Sequence, residues 1–382
     1  MGPLLDRLLS EEGRALLAEL PDDPLDPGQE LRLGTRLRER HPAELVAAAL
    51  AQRELRARAA AKFSRAGRMW FTRAGLEQAS AEPLARHRAG RYAGHRRVAD
   101  LCCGIGGDLC ALAPGRDALA VDLDPVHLRM ARENAAVHGA AVAAAQADVR
   151  DLRPPRSLAV FLDPARRAGG RRLPAGQSRP PLAWCLELAT RVAAVGVKAA
   201  PGLPIGLVPP GWELELLADR RELKEAVLWS PSLATSGRRA TVFPGPHTLT
   251  ARPGPPVPSR PPGAWLLDPS PAVTRAGLVE ELARDLDAWK LDRRIAFLSA
   301  DRPMATPFGR LLRVDAALPW NARRLRQVLR ERGVGSVEIR KRGSAVDVAD
   351  LTARLRLRGD GRATVVLTRV ADRPFALVCS EG

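Results

Sequence analysis

The sequence predicts an α/β protein built on a doubly wound, mostly parallel sheet, with a helical region before it and a small α+β module after it. Three observations predict this. Residues 98–108 read VADLCCGIGGD: an apolar strand running into an acid, a glycine-rich turn and the start of a helix. That layout brings backbone N–H groups close to a nucleotide-like ligand. Residues 97–245 then alternate strand and helix patterns, which implies a parallel sheet covered on both faces. Finally, Asp100, Asp122, Asp148 and Asp163 fall at the ends of four successive strands, and ligands of open α/β sheets bind beyond the carboxyl ends of the strands.

In chain order, residues 1–60 repeat Leu and Ala at helical spacing, with Pro21, Pro24 and Pro27 as breaks. Residues 64–94 mix Trp70, Phe71 and Tyr92 with Arg and His. This segment is either a linker packed on the next domain or part of the pocket. The strands expected next are RRVADLCC, DALAVDLD, AVAAAQAD, SLAVFLDPAR and RVAAVGVKAA, followed by GWELELLAD, EAVLWSP and RATVFPG. The helix PVHLRMARENAAVHG follows the second strand, and another is centred on 181–189. Residues 252–262, RPGPPVPSRPP, read as a linker. A short strand and a helix follow over 265–300. The last segment starts near Arg310 with a basic helix (NARRLRQVLRERG), a strand (SVEIRKRG), a helix (DVADLTARLRLRG) and a strand (ATVVLTRV). The expected organisation is therefore 1–95 helical, 96–250 the main α/β domain, 251–309 a linker and accessory segment, and 310–382 the small α+β domain.

Length and composition narrow the function. A chain of 382 residues, 46% hydrophobic, holds two or three domains with sizeable cores. No apolar run reaches a membrane span, and the acid-bearing N-terminus resembles neither a signal peptide nor a myristoylation site. The five cysteines are odd in number and contain no CxxC pair, so a reduced, cytoplasmic protein is expected. The six histidines make no metal-ligand spacing with Cys, and no metal is expected. The net charge of +17 points to a polyanion, most simply nucleic acid. From 310 to 370 there are 15 Lys/Arg against 6 Asp/Glu, which places much of that excess near the C-terminus.

Residue types at the strand ends suggest roles. Asp122 lies 16 residues after Gly106, where an acid accepts hydrogen bonds from ribose hydroxyls. Asp124, just before Pro125, suits a helix cap. Asp148 can accept from the exocyclic amine of an adenine. Asp163, Pro164 and Arg166 of DPAR end the fourth strand, and Arg167, Arg171 and Arg172 follow as candidate phosphate contacts. Lys198, at the end of the fifth strand, reads as either a phosphate contact or a surface lysine.

These residues together resemble the class I S-adenosylmethionine-dependent methyltransferases. DLCCGIGGD, the acid in AVDLD, the acid in QAD and the DPAR segment match the family's landmarks in order and spacing over about 97–245. The resemblance implies a Rossmann-like methyltransferase sheet with S-adenosylmethionine held by Asp100, Cys102, Gly104, Gly106, Gly107, Asp108, Asp122 and Asp148. It also implies a catalytic group of Asp163, Pro164 and Arg166. DLDPVHLRMARENAAVHG is similar to the trimethylguanosine synthase branch. The whole chain resembles a bacterial group with a C-terminal THUMP-like domain, through GLEQASAEPLARHRA, LLDPSPAVTRAGLVEEL and EIRKRG. That likeness implies an RNA partner gripped by Arg340, Lys341 and Arg342.

Two departures stand out. Cys102 occupies the first glycine place of the usual GxGxG turn. DPAR lacks both the second proline and the aromatic with which amine-methylating relatives stack on a flipped base. The VGVKAAPG strand has no cysteine nucleophile, which disfavours C5-pyrimidine chemistry. The turn also lacks the GxGxxG order of a dehydrogenase. The expected activity is direct in-line methyl transfer to an RNA nucleobase. The alternatives are a non-catalytic RNA-binding protein on the same fold and a small-molecule methyltransferase.

Overall fold

The structure, a computed structural model, describes residues 2–21, 25–168, 171–174 and 176–382, with backbone alone for 167, 168, 171 and 172. The chain divides into two units, Met1–Trp212 with Val227–Ala234, and Glu213–Ala226 with Thr235–Gly382. Residues 1–95 thus share a unit with most of the expected α/β domain, and the 251–309 and 310–382 segments share the other.

The first unit opens with α1 (Gly2–Leu9), α2 (Glu11–Ala18), α3 (Pro27–Arg38) and α4 (Ala43–Ala59). Their starts follow local chemistry. Ser10 caps α2 by accepting from Gly13 N–H at 3.3 Å, and Asp26 and Gln29 form a capping box around Pro27 at the head of α3. The apolar faces of these helices bury Leu16, Leu37, Leu45 and Val46 together with Phe63, Met69, Trp70 and Phe71. Next come α5 (Arg73–Gln78) and α6 (Glu82–Gly90).

The sheet of this unit contains β1 (Arg97–Leu101), β2 (Asp117–Asp122), β3 (Val142–Gln146) and β4 (Ala159–Leu162). Between them lie α7 (Leu109–Leu112) and α8 (Pro125–Val137). After β4 a small antiparallel hairpin, β5 (Arg167–Ala168) and β6 (Arg171–Arg172), precedes α9 (Leu182–Glu187) and β7 (Ala194–Ala199). The strand order is β7-β4-β1-β2-β3, every pair parallel. Strand β4 is buried throughout and β1 from Val98 onward, as expected of a sheet covered on both faces. From β1 the chain winds outward to β2 and β3, then returns to β4 on the other side. That reversal opens a crevice beyond the carboxyl ends of β1 and β4.

In the second unit, β8 (Glu213–Asp219), β10 (Arg238–Phe243) and β11 (His247–Thr250) lie in the order β11-β10-β8. Strand β9 (Glu222–Trp229) is divided, with Glu222–Ala226 in this unit and Val227–Trp229 in the first. A seven-stranded mixed sheet follows in the order β13-β14-β12-β15-β18-β17-β16. It consists of β12 (Trp265–Pro269), β13 (Trp289–Lys290), β14 (Leu298–Ala300), β15 (Gly309–Pro319), β16 (Val334–Lys341), β17 (Gly361–Val370) and β18 (Arg373–Glu381). Helices α10 (Pro271–Ala276) and α11 (Val279–Leu286) follow β12, and α12 (Ala322–Glu331) and α13 (Val348–Leu355) flank β16. Leu325, Leu329, Leu351 and Leu355 pack with Val365, Leu367 and Val378. Strands β15 and β18 go beyond the elements expected from sequence. Among the described residues no helix is long and apolar enough to cross a membrane.

Candidate active site

Beyond the carboxyl ends of β1, β2 and β4 lies a cleft of about 910 Å³. Asp100, Cys102, Gly104, Gly107, Asp108, Asp122, Asp148, Asp163, Pro164 and Arg166 all line it. The strand-end acids therefore converge as their positions predict. Gly106 does not line the cleft but shapes it. Its φ is +82°, and a Cβ there would lie 2.9 Å from the Ala131 Cα of α8. Cys102 takes φ +60°, the left-handed conformation that glycine adopts without strain. The glycine place is thus filled by a residue with glycine's backbone shape. Burial, then the nearby Asp122, push its thiol well above the usual range, so it is a neutral side chain and not a nucleophile.

Each acid has its own environment. Asp122 fixes the turn, accepting from Gly104 N–H at 2.8 Å and Asp124 N–H at 2.9 Å. Asp124 caps α8 by accepting from Val126 and His127. Asp108 is buried and accepts from the Arg88 guanidinium at 2.8 and 2.5 Å. Asp148 accepts from Arg150 N–H at 2.9 Å and from its guanidinium at 2.6 Å, and these bonds hold its carboxyl down at about 2. Asp163 is paired with Lys198, Nζ to Oδ2 2.5 Å. Lys198 is 3% exposed. It is neither a surface lysine nor open to a phosphate, because its place inside β7 encloses it.

Asp100 differs from the rest. It is 1% exposed, it faces the cleft, and neither carboxylate oxygen has a hydrogen-bond partner among the described residues. Burial raises its carboxyl well above the ordinary value, and the charges of Asp108, Asp163 and Asp122 add to that.

The segment 64–94 has both of the roles left open for it. Trp70, Phe71 and Tyr92 are buried, while Gly75, Glu77, Gln78, Ala79 and Ser80 line the cleft. Asn134 of α8 ties the two parts together. Its Oδ1 accepts from Trp70 N–H at 2.7 Å, and its Nδ2 donates to Trp70 O and Ile105 O at 2.9 and 2.8 Å. Sequence reasoning missed Arg88, Asn134 and Gln78 as site residues, although Gln78 and Arg88 lie in the recognised GLEQASAEPLARHRA. It also missed Leu123, 66% exposed beside Asp122, which gives the cleft an apolar lip.

Of the residues expected to hold RNA, Arg167, Arg171 and Arg172 have side chains outside the described residues, and Arg340, Lys341 and Arg342 lie in the second unit. Arg340 and Arg342 both donate to Asp268, at 2.7 and 2.8 Å, which joins EIRKRG to LLDPSP. Lys341 is exposed, and its ammonium donates to Val346 O at 3.0 Å.

Comparison with known proteins decides the family. Residues 98–162 match the methyltransferase domain, 309–381 the THUMP domain-like family, and 4–59 a domain of unknown function. An S-adenosylmethionine-dependent methyltransferase of Mycobacterium tuberculosis (strain H37Rv), itself uncharacterised, is 42% identical over 308 residues, spanning 78% of this chain and 84% of that one. The chain belongs to the S-adenosylmethionine-dependent methyltransferases. A relative from strain CDC 1551 matches equally. The crystal structure of a candidate methyltransferase from Porphyromonas gingivalis W83 superposes with a TM-score of 0.74 at 20% identity, over 94% of this chain and all of that one, and so shares its fold. S-adenosylmethionine is the cofactor of this methyltransferase, and the cleft suits it. A cationic ligand answers the unpartnered Asp100, and the turn beside it is shaped by the close packing of Gly106 on Ala131 and Gly107 on Ala79, where an added Cβ would lie at 2.9 and 3.2 Å.

Proposed function

We propose that this methyltransferase acts on RNA, by direct in-line transfer to a nucleobase nitrogen. The observation that carries the chemistry is the Asp163 carboxylate, placed at the end of β4, lining the cleft and held there by Lys198. The RNA partner is supported by the net charge of +17, by the THUMP domain-like match, and by Arg166 and Arg179 among the residues around the cleft.

The cofactor, when bound, supplies an already activated methyl group, so the protein's task is alignment. Asp100 would hold its positive end, Asp122 its ribose, and the 102–107 turn its flank. Asp148 would face the adenine amine, with Leu123 beside the ring. Asp163 accepts a hydrogen bond from the attacking N–H and turns the lone pair toward the methyl. Buried Pro164 stiffens the chain after Asp163, and Arg166 stands beside the entering nucleotide. Arg167, Arg171 and Arg172 would follow the phosphates, as would Lys341. Arg340 and Arg342, both tied to Asp268, would hold the segment that carries Lys341 rather than bind phosphate themselves.

Tritiated methyl transfer from S-adenosylmethionine onto RNA from a strain lacking the gene, with mapping of the labelled nucleotide, tests this reading. Label in one nucleotide is expected, with Asp163→Ala reducing it by about 10²-fold. Cofactor binding with no RNA labelled, and label appearing on a small metabolite instead, would favour a small-molecule substrate.

A further inference from the structure

Lys198 is not among the family landmarks read from the sequence. It sits in a specific register. Strands β4 and β7 pair Phe161 with Gly196 and Leu162 with Val197, so Asp163 and Lys198 occupy the next positions side by side. Strand β1 places Asp100 opposite Phe161. Because side chains alternate along a strand, Asp100, Phe161, Asp163 and Lys198 share one face, along with the position of Gly196. Tyr92, in the turn after α6, covers that face. Its hydroxyl donates to Val160 O at 2.8 Å, and a Cβ on Gly196 would lie 2.5 Å from the same hydroxyl. The ammonium of Lys198 therefore enters a covered layer and ends on the one carboxylate of that layer that is 27% exposed and open to the cleft.

Stability is a poor reason for this pair. A buried charge pays desolvation that its partner only partly returns, and apolar replacements of buried pairs are often neutral or stabilising. Asp163 is also partly solvated, so it would not need a lysine to stay folded. What the pair does supply is aim, since a fixed cation behind a carboxylate limits where its second oxygen can point.

We propose that Lys198 is a positioning residue for methyl transfer, holding Asp163 so that its cleft-facing oxygen receives the N–H of the attacking nucleotide. In the step it serves, the nitrogen lone pair bonds to the methyl carbon while the carbon–sulfur bond breaks with its pair left on sulfur. The proton then lost from the methylated nitrogen passes by way of Asp163 to water. Lys198 touches none of the reacting atoms.

The role rests on the RNA reading above, and the test separates the two. Wild type, K198M, K198R, D163N and the K198M/D163N double variant are assayed for transfer to RNA from the gene-deleted strain, and S-adenosylmethionine affinity is measured by calorimetry. K198M is expected to lower kcat about 10²-fold, with KM for RNA held within about threefold of wild type and any loss of cofactor affinity far smaller than the fall in kcat. K198R should recover most of the activity, and the double variant should be no slower than D163N. If K198M alone fails to fold, an active K198R together with a double variant matching D163N upholds the role, and any other result for that pair overturns it. An active wild type with an equally active K198M overturns the role of Lys198, as does a double variant in which the two losses multiply. A wild type that binds the cofactor but labels no RNA overturns the RNA reading and the positioning role with it.

Discussion

Asp100 has the least comfortable environment of any side chain at the site. A buried carboxylate without a partner favours its protonated form, so its folded value lies above its unfolded one. The sign follows. The protonated acid is the folded state's preferred form, so stability falls as pH rises from the ordinary Asp range through the raised value. The groups that set this environment are Asp108, Asp163 and Asp122, which raise it, and Lys198, which opposes them. A cationic cofactor reverses the balance, so binding should release protons and tighten as pH rises toward the raised value. Calorimetry in buffers of different ionisation enthalpy should detect that release in wild type and lose it in D100N. The same D100N protein should melt at least about 2 °C higher without cofactor, yet bind S-adenosylmethionine about 10- to 100-fold more weakly. A lower melting temperature for unliganded D100N would show that Asp100 has a structural partner after all. Asp148 contrasts with it. Its oxygens already accept from Arg150, so an adenine amine must share them.

At the scale of elements, the turn after β1 is held from two sides. Asp122 grips it at Gly104, and Asn134 of α8 grips it at Ile105 while also binding both polar backbone groups of Trp70. Asn134→Ala would leave one buried N–H and two carbonyls unpaired, and chemical denaturation should show a loss of about 2–4 kcal/mol. Gly106→Ala combines a positive φ with a contact of 2.9 Å to α8 backbone. It should cost about 1–3 kcal/mol and weaken cofactor binding, read by melting and calorimetry. The first four strands were legible because each is an apolar run ended by an acid. Strands β15 and β18 were not. A register shift between Val314 and Ala316 breaks the alternation of β15. The β17–β18 reversal is made by Ala371 and Asp372 at φ +45° and +64°, which lack the Asn-Gly signature of such turns. Tertiary bonds hold that reversal instead, from Ala371 N–H to Leu291 O and from Asp372 N–H to Asp292.

Across the molecule, the excess of positive charge predicts that the proposed RNA binding is largely a phosphate effect. Affinity for bulk tRNA should fall more than about tenfold between about 50 and 200 mM salt. Retention of full affinity at the higher salt would exclude a phosphate-dominated interface. In the second unit the same arithmetic needs the structure, because an arginine already bonded to an acid is a poor phosphate ligand. Arg340 and Arg342 meet at Asp268, and Arg310 bridges Glu338 and Glu381. Asp268→Ala should therefore destabilise the protein by about 3 kcal/mol in chemical denaturation, a cost that a purely RNA-contacting cluster would not show.

The sequence by itself determined the doubly wound sheet, the glycine turn, the acids at the strand ends and the family they imply. These are local patterns, set by alternation, by backbone freedom at glycine and by which residue ends a strand. Only the tertiary structure decided what each charge faces. Asp100 and Asp163 both lie at strand ends, yet one is buried without a partner and the other is paired with Lys198. Cys102 departs from the usual turn in sequence, yet its backbone takes glycine's conformation. Desolvation and pairing depend on neighbours distant in the chain, from α6, β7 and α8. No spacing in the sequence records those distances.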